Sequence, residues 1–300
     1  MNYKSIFKSQ KTRLKILSML TWVPDTLMVR IQYRIQMGFW PNLGHPKRFT
    51  EKLQVYKLNY RNPLMHQCVD KYDVRSYVKS KGLGYILNDI YGVYERAEDI
   101  DLSALPNEFV AKTTDGTGGF NVKIVHDKTK LVYKDFCAEL NGWLGKKDIN
   151  AGREWAYTGI KKSRIIVEKC LHQTLYGGGG LIDYKFFCFN GEVKYLYVMT
   201  DRKDGVVSLA ICDPQFNLLP YSRTDEREIR KTPIKPDNYE KMVEIASKLS
   251  KDFPHVRVDL YNIEGNIVFG ELTFYDGSGY FHYKPDDFDF KAGSYFKWSP

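Results

Sequence analysis

The chain has 300 residues, of which 43% are hydrophobic and 15% aromatic, and its net charge is +9. This composition excludes an intrinsically disordered protein, and the length allows one large domain or two ordinary ones. No apolar run approaches the roughly 18 residues needed to span a bilayer, and no secretory signal peptide is recognisable, so the expected compartment is the cytoplasm.

The positive charge is concentrated near the N-terminus. Residues 1–48 carry nine Lys or Arg against one acidic residue, Asp25, and therefore hold +8 of the total of +9. Apolar residues such as Leu17 and Trp22 interleave with this charge, which is typical of a basic amphipathic helix. Two interpretations stay open: a helical cap with a solvated basic face, and contact of residues 1–40 with an anionic membrane. No zinc finger, aromatic RNP strand or recognition helix is present, so nucleic acid is not a predicted partner.

The cysteines and histidines show no metal-ligand spacing. The five cysteines are odd in number and scattered, without a CxxC motif, so we expect them to be reduced and mostly buried. His172, His255 and His282 are expected to be structural for the same reason. No Ser-His-Asp or Cys-His catalytic arrangement is recognisable.

Helices dominate the predicted N-terminal part, up to about residue 60. The segment Asp25–Phe39 is amphipathic, and a second helix is predicted over Leu53–Asn59 with Thr50 as its N-cap. A third helix is predicted over Asp70–Lys81 and ends at two nearby glycines.

Short strands separated by turns follow. The predicted strands are Tyr91–Tyr94, Phe109–Lys112, Asn121–Val125, Arg164–Glu168, Asp183–Phe189 and Glu192–Met199, and helices are predicted over Leu131–Leu144 and Tyr239–Lys251. Asn190-Gly191 is a favoured two-residue hairpin turn. Strands that meet at tight turns, with helices between some of them, predict the α+β class with antiparallel sheets.

The segment Val256–Phe274 predicts a second hairpin, with its turn at Glu264-Gly265. A period of two places Arg257, Asp259 and Tyr261 on one face of the first strand, and Phe269, Glu271 and Thr273 on one face of the second. If these faces coincide, two carboxylates and an arginine converge. Unpaired buried carboxylates are costly, so such a pair implies a bound cation or a positive partner. For a cation, hard oxygen ligands without nearby His or Cys favour Mg²⁺ over zinc. A solvated hairpin with surface charges is the alternative interpretation.

Several isolated residues are candidates for anion binding. The glycine-rich turn Thr113–Gly119 follows Lys112, and its backbone N–H groups can approach phosphate oxygens while the lysine holds a phosphate charge. A simple turn beside a surface lysine is the alternative. Lys185 is unusual because it lies in mid-strand among phenylalanines. Arg202 closes the following strand and is a further candidate.

Several longer sequence motifs occur in a fixed order along the chain. They are PKRFTEKLQVYKLNYRNPL (46–64), VDKYDVRSYV (69–78), LPNEFVAKTTDGTGG (105–119), IIVEKCL (165–171), DYKFFCFNGEV (183–193), MVEIASKLS (242–250) and VRVDLYNIEGNIVFGELTF (256–274). In this order, over roughly residues 40–285, the chain resembles the TupA-like (teichuronopeptide-biosynthesis) ATP-grasp family.

The resemblance implies an α+β ATP-grasp fold, in which two α+β lobes clamp ATP and Mg²⁺, with a mostly helical N-terminal region. The implied division is a helical, basic region over residues 1–104 and the ATP-grasp lobes over residues 105–300. These lobes would divide at about residue 165 into a smaller lobe (about 105–165) and a larger, metal-binding lobe (166–300).

The resemblance also implies roles for individual residues. The implied ATP contacts are Lys71, Lys112, Thr113, Gly116, Gly118, Gly119, Glu168, Lys169, Leu171 and Lys185. The implied metal ligands are Asp259, Glu271 and Thr273, and the implied catalytic residues are Arg257, Lys185 and Arg202. Thr273 stands where ATP-grasp ligases usually carry Asn, which leaves open whether one or two Mg²⁺ ions bind.

The implied activity is that of a carboxylate–amine ligase that uses ATP and works through an acyl phosphate. The family context indicates the joining of an amine or amino acid to a uronic acid of a cell-surface polysaccharide, of capsular or teichuronic type, at the inner face of the membrane. The alternatives are a kinase that acts on a sugar or glycan and a non-catalytic, membrane-associated scaffold for polysaccharide assembly. A glycosyltransferase is disfavoured because no DxD-type motif is found.

Overall fold

The computed structural model describes residues 17, 19–116, 121–144, 152–173, 180–200, 207–229 and 232–298. The chain packs into two compact units. The larger unit comprises Met1–Asn62, Asp148–Ala156 and Gln173–Pro300, and the smaller unit comprises Pro63–Lys147 and Tyr157–His172. The domain boundaries predicted near residues 104 and 165 stay a prediction.

The described part of the chain contains helices and strands in mixed order. The helices are α1 (Asp25–Met37), α2 (Phe49–Asn59), α3 (Leu64–Val69), α4 (Val74–Ser80), α5 (Tyr133–Trp143), α6 (Tyr239–Ser250) and α7 (Asp287–Tyr295). The strands are β1 (Ile90–Tyr94), β2 (Phe109–Thr113), β3 (Val122–Val125), β4 (Ile165–Glu168), β5 (Asp183–Phe189), β6 (Glu192–Thr200), β7 (Ser208–Cys212), β8 (Ser222–Arg223), β9 (Arg227–Glu228), β10 (His255–Ile263), β11 (Asn266–Thr273) and β12 (Tyr283–Lys284). The predicted α+β class is confirmed.

Helix α2 begins earlier than predicted, and its cap differs. Arg48 is the N-cap residue, so the prediction of Thr50 as the cap is wrong. Thr50 lies inside the first turn, is buried, and donates a hydrogen bond from Oγ1 to Asp289 Oδ2 at 2.7 Å. The Glu51 carboxylate instead accepts the backbone N–H groups of Lys47 at 3.0 Å and Arg48 at 3.2 Å. This carboxylate therefore satisfies backbone donors that the start of a helix leaves unpaired.

The smaller unit is built on a four-stranded antiparallel sheet with the order β1-β4-β2-β3. Along β2, Phe109 and Ala111 are buried in a core that α5 covers with Phe136 and Leu140. Since side chains alternate between the faces of a strand, Lys112 lies on the opposite face of this sheet.

The larger unit is built on a six-stranded sheet with the order β11-β10-β5-β6-β7-β9, antiparallel except for the β7–β9 pair. Helix α6 packs against one face of the sheet through apolar side chains, all of them buried: Met242, Ile245, Ala246 and Leu249. On the other face, Phe49 of α2 makes edge contacts with the rings of Phe187, Phe189 and His255. These contacts fix α2 against β5 and β10.

Both predicted hairpins are present in this sheet. The turn of β5–β6 has Asn190 and Gly191 at φ +50° and +82°, and the turn of β10–β11 has Glu264 and Gly265 at +51° and +87°. Two successive left-handed residues are the hairpin geometry that matches strand twist. Among the helices of the described residues, none combines the length and apolar composition needed to cross a bilayer.

Candidate functional site

Three neighbouring strands of the larger unit place three charged side chains in one row. Asp259 of β10 lies opposite Lys185 of β5 on one side and opposite Glu271 of β11 on the other. Arg257, two residues earlier on β10, lies opposite Thr273 of β11. Because residues two apart share a face, the structure brings these five predicted site residues together.

Arg257 is the centre of this group. Its Nε donates to Asp259 Oδ1 at 2.7 Å and its Nη2 donates to Asp259 Oδ2 at 2.7 Å, which forms a bidentate pair. The same Nη2 lies 3.1 Å from Glu271 Oε1 and 3.0 Å from Thr273 Oγ1, while Nη1 donates to Asp276 Oδ1. We call these residues, with Lys185, the Arg257 cluster.

Opposite charges favour the ionised forms of Arg257 and Asp259 despite their burial. Burial by itself lowers the pKa of Arg257, but Asp259, Asp276 and Glu271 raise it well above its usual range. Burial raises the pKa of Asp259, but Arg257 and Lys185 together hold it below its usual value. The Lys185 Nζ lies 2.5 Å from Asp259 Oδ2. The positive partner that a buried carboxylate requires is thus supplied by the chain itself.

The sequence analysis did not predict that Asp276 and Arg223 are connected to Arg257. Asp276 is buried and accepts from both Arg257 and Arg223, the latter through Nη1 at 3.4 Å. Arg223 lies on the two-residue strand β8, which carries no pattern that a sequence can reveal. Asp276 lies three residues beyond β11, and this proximity in sequence is the signal that could have identified it.

A bulge at Gly270 sets the register of Glu271. Asp259 pairs with Glu271 but Leu260 pairs with Phe269, so Gly270 is the additional residue on β11. The prediction that Phe269 shares a face with Glu271 and Thr273 is therefore wrong, and Phe269 is buried on the core side. A Cβ at Gly270 would lie 3.0 Å from the Asp259 carbonyl oxygen, a tight contact that favours glycine at this position.

The donor set of the cluster fits a hard divalent cation. Oxygen atoms of Asp259, Glu271 and Thr273 converge on one nitrogen of Arg257, which marks the point as favourable for positive charge. The Glu271 side chain is 42% exposed and accessible to an ion, whereas the Asp259 side chain is 3% exposed. Glu271 and Asp259 are the residues that would hold Mg²⁺, with the Thr273 hydroxyl beside them.

The smaller unit brings together a second pair of predicted residues. On neighbouring antiparallel strands, Lys112 lies opposite Ile166 and its Nζ forms an ion pair with Glu168 Oε1. Both side chains are largely buried, at 20% and 15% exposed. Thr113 is fully buried at the end of β2. This pair lies on the face of the sheet that α5 leaves uncovered.

Lys71 is tied to the glycine-rich turn. Its backbone N–H donates to the Thr114 carbonyl at 2.8 Å, and its Nζ donates to the Gly116 carbonyl. The structure thus brings Lys71 and Gly116 together beside the end of β2. The other predicted glycines, Gly118 and Gly119, and the predicted catalytic residue Arg202 lie outside the described residues.

The segment after β4 is hydrogen-bonded to the residues just before β1. The Lys169 N–H donates to the Asp89 carbonyl at 3.0 Å, and its carbonyl accepts from Asn88 Nδ2 at 2.9 Å. A carbonyl oxygen has two lone pairs, so that of Lys169 retains capacity for a further donor. Leu171 is half-buried two residues on.

A model of the TupA-like ATPgrasp family matches residues 51–297. The chain belongs to the TupA-like ATP-grasp family. The match includes every residue of the Arg257 cluster and the Lys112–Glu168 pair, and it confirms the resemblance drawn from the sequence phrases. A search of curated proteins finds no significant relative.

Solved structures of ligases show weaker similarity. D-alanine–D-alanine ligase from Bacillus anthracis, complexed with ATP, is 16% identical over 69% of this chain and 55% of its own, with a TM-score of 0.41. The Helicobacter pylori D-alanine–D-alanine ligase is 16% identical over 78% and 60%, with a TM-score of 0.44. L-amino acid ligase from Bacillus licheniformis is 15% identical over 77% and 49%, with a TM-score of 0.45. The match spans about half to three-fifths of the length of these proteins.

Proposed function

We propose that this TupA-like ATP-grasp chain is a carboxylate–amine ligase that uses ATP. A carboxylate oxygen of the acceptor attacks the γ-phosphorus of ATP, and ADP leaves. An amine then attacks the acyl carbon of the resulting acyl phosphate, phosphate leaves, and the amine loses a proton as the amide forms. Phosphoryl transfer needs mainly positioning and charge stabilisation, which a cluster of fixed charged groups can provide.

The observation that carries this proposal is the convergence of Asp259, Glu271 and Thr273 on the buried guanidinium of Arg257. In the proposed reaction, Arg257 and Lys185 stabilise negative charge on the transferring phosphoryl group. Both cations are held in place by Asp259, so little reorganisation is needed during the reaction. Asp259 and Glu271 would hold Mg²⁺, which supplies charge neutralisation at the phosphates when bound.

Residues of the smaller unit are proposed to contact ATP in the way that the resemblance implies. Lys112 and Lys71 would hold phosphate oxygens through their ammonium groups. Glu168 and the backbone of Lys169 and Leu171 would contact the adenosine part. Support comes from the Lys112–Glu168 pair, whose largely buried side chains would be costly as isolated charges. The proposed ATP contacts also include Thr113 and Gly116. Outside the described residues, the proposal keeps Gly118 and Gly119 as ATP contacts and Arg202 as a catalytic residue.

The acceptor is proposed to be the carboxylate of a uronic acid in a cell-surface polysaccharide, and the donor an amine or amino acid. The family context of teichuronopeptide biosynthesis supports this choice of substrates.

Trapping of the acyl phosphate tests the proposed reaction. We expect that ATP, Mg²⁺, glucuronate or galacturonate oligosaccharides and hydroxylamine yield ADP and a hydroxamate, since hydroxylamine intercepts an acyl phosphate. ADP with a phosphorylated sugar and no hydroxamate would identify a kinase instead. Binding of a non-hydrolysable ATP analogue without any turnover would favour the scaffold.

A pair of glutamine variants tests the role of Glu271. Glu271→Gln keeps the shape of the side chain but removes its charge, so we expect loss of turnover and of the Mg²⁺-dependent part of the thermal stabilisation by the ATP analogue. Wild type with ligand at about 100 times its Kd should gain about 2.7 kcal/mol. Glu264→Gln, at the exposed turn of the same hairpin, is the matched control. Full activity in Glu271→Gln would contradict the metal assignment.

We further propose that α1 and the segment before it contact an anionic membrane. Leu27, Ile31 and Ile35 recur at four-residue spacing along α1 and are exposed, and Trp22 and Trp40 beyond its ends are 79% and 61% exposed. Tryptophan favours the membrane interface, and the basic residues of this region suit anionic lipid headgroups. The chain would then act at the cytoplasmic face of the membrane.

Sedimentation with lipid vesicles tests this contact. We expect binding to phosphatidylglycerol vesicles, weaker binding in high salt, and little binding to phosphatidylcholine vesicles. The double variant Leu27→Gln/Ile31→Gln should bind less, whereas Ile234→Gln, at a more exposed isoleucine elsewhere in the larger unit, should not change binding. Equal binding by all variants would rule out α1 as the membrane contact.

A further inference from the structure

Three strands of the smaller unit end at a common row of metal-ligand side chains. Phe109 of β2 pairs with Val125 of β3, and Val110 pairs with Glu168 of β4. The residues just beyond these pairs are therefore neighbours across the strands: Glu108 before β2, His126 after β3 and Cys170 after β4. His172 follows Cys170 by two residues.

The side chains of this row are in contact. Glu108 Oε1 contacts His172 Nε2, and Glu108 Oε2 lies 3.3 Å from His126 Nδ1. One ligand atom from each of Glu108, Cys170 and His172 lies within 4.8 Å of the others. The carboxylate of Glu108 thus connects His126 with Cys170 and His172, which lie more than 40 residues further along the chain.

We propose that Glu108, His126, Cys170 and His172 bind one divalent transition metal ion, with Zn²⁺ as the preferred ion. One sulfur, two imidazole nitrogens and one carboxylate oxygen form a four-ligand set of the kind that zinc takes in tetrahedral sites. Thiolate and imidazole together exclude Mg²⁺ and Ca²⁺ as preferred ions, because those take oxygen ligands. The two imidazoles are 72% and 62% exposed, so an ion can reach them from solvent.

The Cys170 thiol also hydrogen-bonds to the Glu108 carboxylate, so the thiol and both imidazoles contact this one side chain. Metal binding uses all four groups at once.

The site has a consequence for the chain after β4. Two of the ligands, Cys170 and His172, alternate with Lys169 and Leu171, so a bound ion would fix this segment against β2 and β3. An effect of the bound ion on nucleotide binding rests on the proposed function, in which the backbone of Lys169 and Leu171 contacts ATP. Metal binding itself does not rest on it. Metal binding can therefore be measured without nucleotide, and failure of one proposal leaves the other testable.

Cobalt and zinc titrations of the metal-stripped full chain test the site. We expect Co²⁺ to bind at one equivalent per chain, with a sulfur-to-cobalt charge-transfer band and intense visible bands of a tetrahedral complex, and Zn²⁺ to displace it. Hydrogen exchange of the backbone amides of residues 170–172 should slow when Zn²⁺ is added. Cys170→Ser should abolish the charge-transfer band, and His172→Asn should weaken Zn²⁺ binding by more than about 10-fold, at least the loss seen for outer-shell partners.

His45→Asn is the matched control, because His45 is exposed and lies in the larger unit. This variant should bind Co²⁺ and Zn²⁺ as the wild type does. Circular dichroism of each variant without metal checks that the fold is retained. Absence of one-equivalent binding in the wild type, or unchanged binding and spectra in both Cys170→Ser and His172→Asn, would overturn the proposal.

Discussion

Asp259 lies directly opposite Glu271 on β10 and β11, and one nitrogen of Arg257 contacts both carboxylates. The two acids differ sharply in exposure, since the Asp259 side chain is 3% exposed and the Glu271 side chain is 42% exposed. Asp259 holds Arg257 and Lys185 through ion pairs, whereas Glu271 remains accessible from solvent. Under the proposed function, Glu271 is therefore the acid through which the cluster would accept a metal ion.

Removal of the Arg257 charge should destabilise the larger unit. Arg257→Met leaves Asp259 and Asp276 buried without their main partner, and loss of one partner of a buried ion pair costs about 3–5 kcal/mol. Urea denaturation measures the change in the free energy of unfolding. Asp276→Asn added to Arg257→Met should recover part of the loss, because one uncompensated charge is removed. A loss below about 1 kcal/mol for Arg257→Met would show that the cluster is not held in this way.

Substitution of Gly270 should disturb the bulge that aligns Glu271. The new Cβ of Gly270→Ala would lie 3.0 Å from the Asp259 carbonyl, so we expect a loss of about 1–3 kcal/mol from overpacking and weaker stabilisation by Mg²⁺ with the ATP analogue. Thermal unfolding with and without ligand measures both effects. Gly142→Ala is the control: the space around this residue of α5 is open, and the change should stabilise by about 0.5–1 kcal/mol. Equal effects of the two variants would be inconsistent with the bulge.

Lys112 should contribute to nucleotide affinity. Lys112→Met removes the ammonium group that is proposed to hold a phosphate, so the Kd of an ATP analogue should rise by about 10-fold or more, since a charged hydrogen bond contributes about 1.5–3 kcal/mol. Isothermal titration calorimetry measures the Kd. Lys123→Met on the neighbouring strand β3, where the lysine pairs with Glu139, should leave the Kd unchanged. The assignment fails if both variants bind the analogue as tightly as the wild type.

His255 should make the protein sensitive to mild acid. Its Nδ1 donates to the Cys188 carbonyl at 3.0 Å, its Nε2 has no partner among the described atoms, and burial lowers its pKa from 6.5 to about 3. Between pH 6.5 and about pH 3, the imidazole is therefore protonated in the unfolded chain but neutral in the folded chain. This contribution to stability is full above about pH 7 and falls as the pH drops from 6.5 towards 3, by up to about 1.4 kcal/mol per pH unit.

The variant His255→Phe isolates this effect. Phenylalanine suits the surrounding rings of Phe49, Phe189 and Phe296 and cannot be protonated. The free energy of unfolding of wild type relative to the variant should decrease between pH 7 and pH 4, as measured by urea denaturation at each pH. His45→Gln, at an exposed histidine, should show no such change. A pH-independent difference for His255→Phe would contradict a neutral buried imidazole.

Part of the candidate site could be predicted because strand side chains alternate, which places Arg257 with Asp259 on one face of β10 and Glu271 with Thr273 on one face of β11. That the two faces coincide depends on the bulge at Gly270, since pairing counted from the turn without it would place Glu271 opposite Val258. The same local rule predicted both hairpins and the α+β class. It failed at Phe269, because the single additional residue Gly270 reverses the alternation beyond it.

The sequence by itself determined the hairpins, the apolar face of α6, the basic N-terminal region and the family, since each depends on residues close together in the chain or on phrases in a fixed order. Only the tertiary structure decided that Asp276 joins Arg257 to Arg223, and that Glu108 lies beside His126, Cys170 and His172 at three strand ends. The proximity of these residues is set by the pairing of strands that are distant in sequence. It also depends on the path of the segments that follow β11 and β4. No local spacing records either of these, and the contacts of Glu108 with Cys170 and His172 follow only from the alignment of β2 with β4.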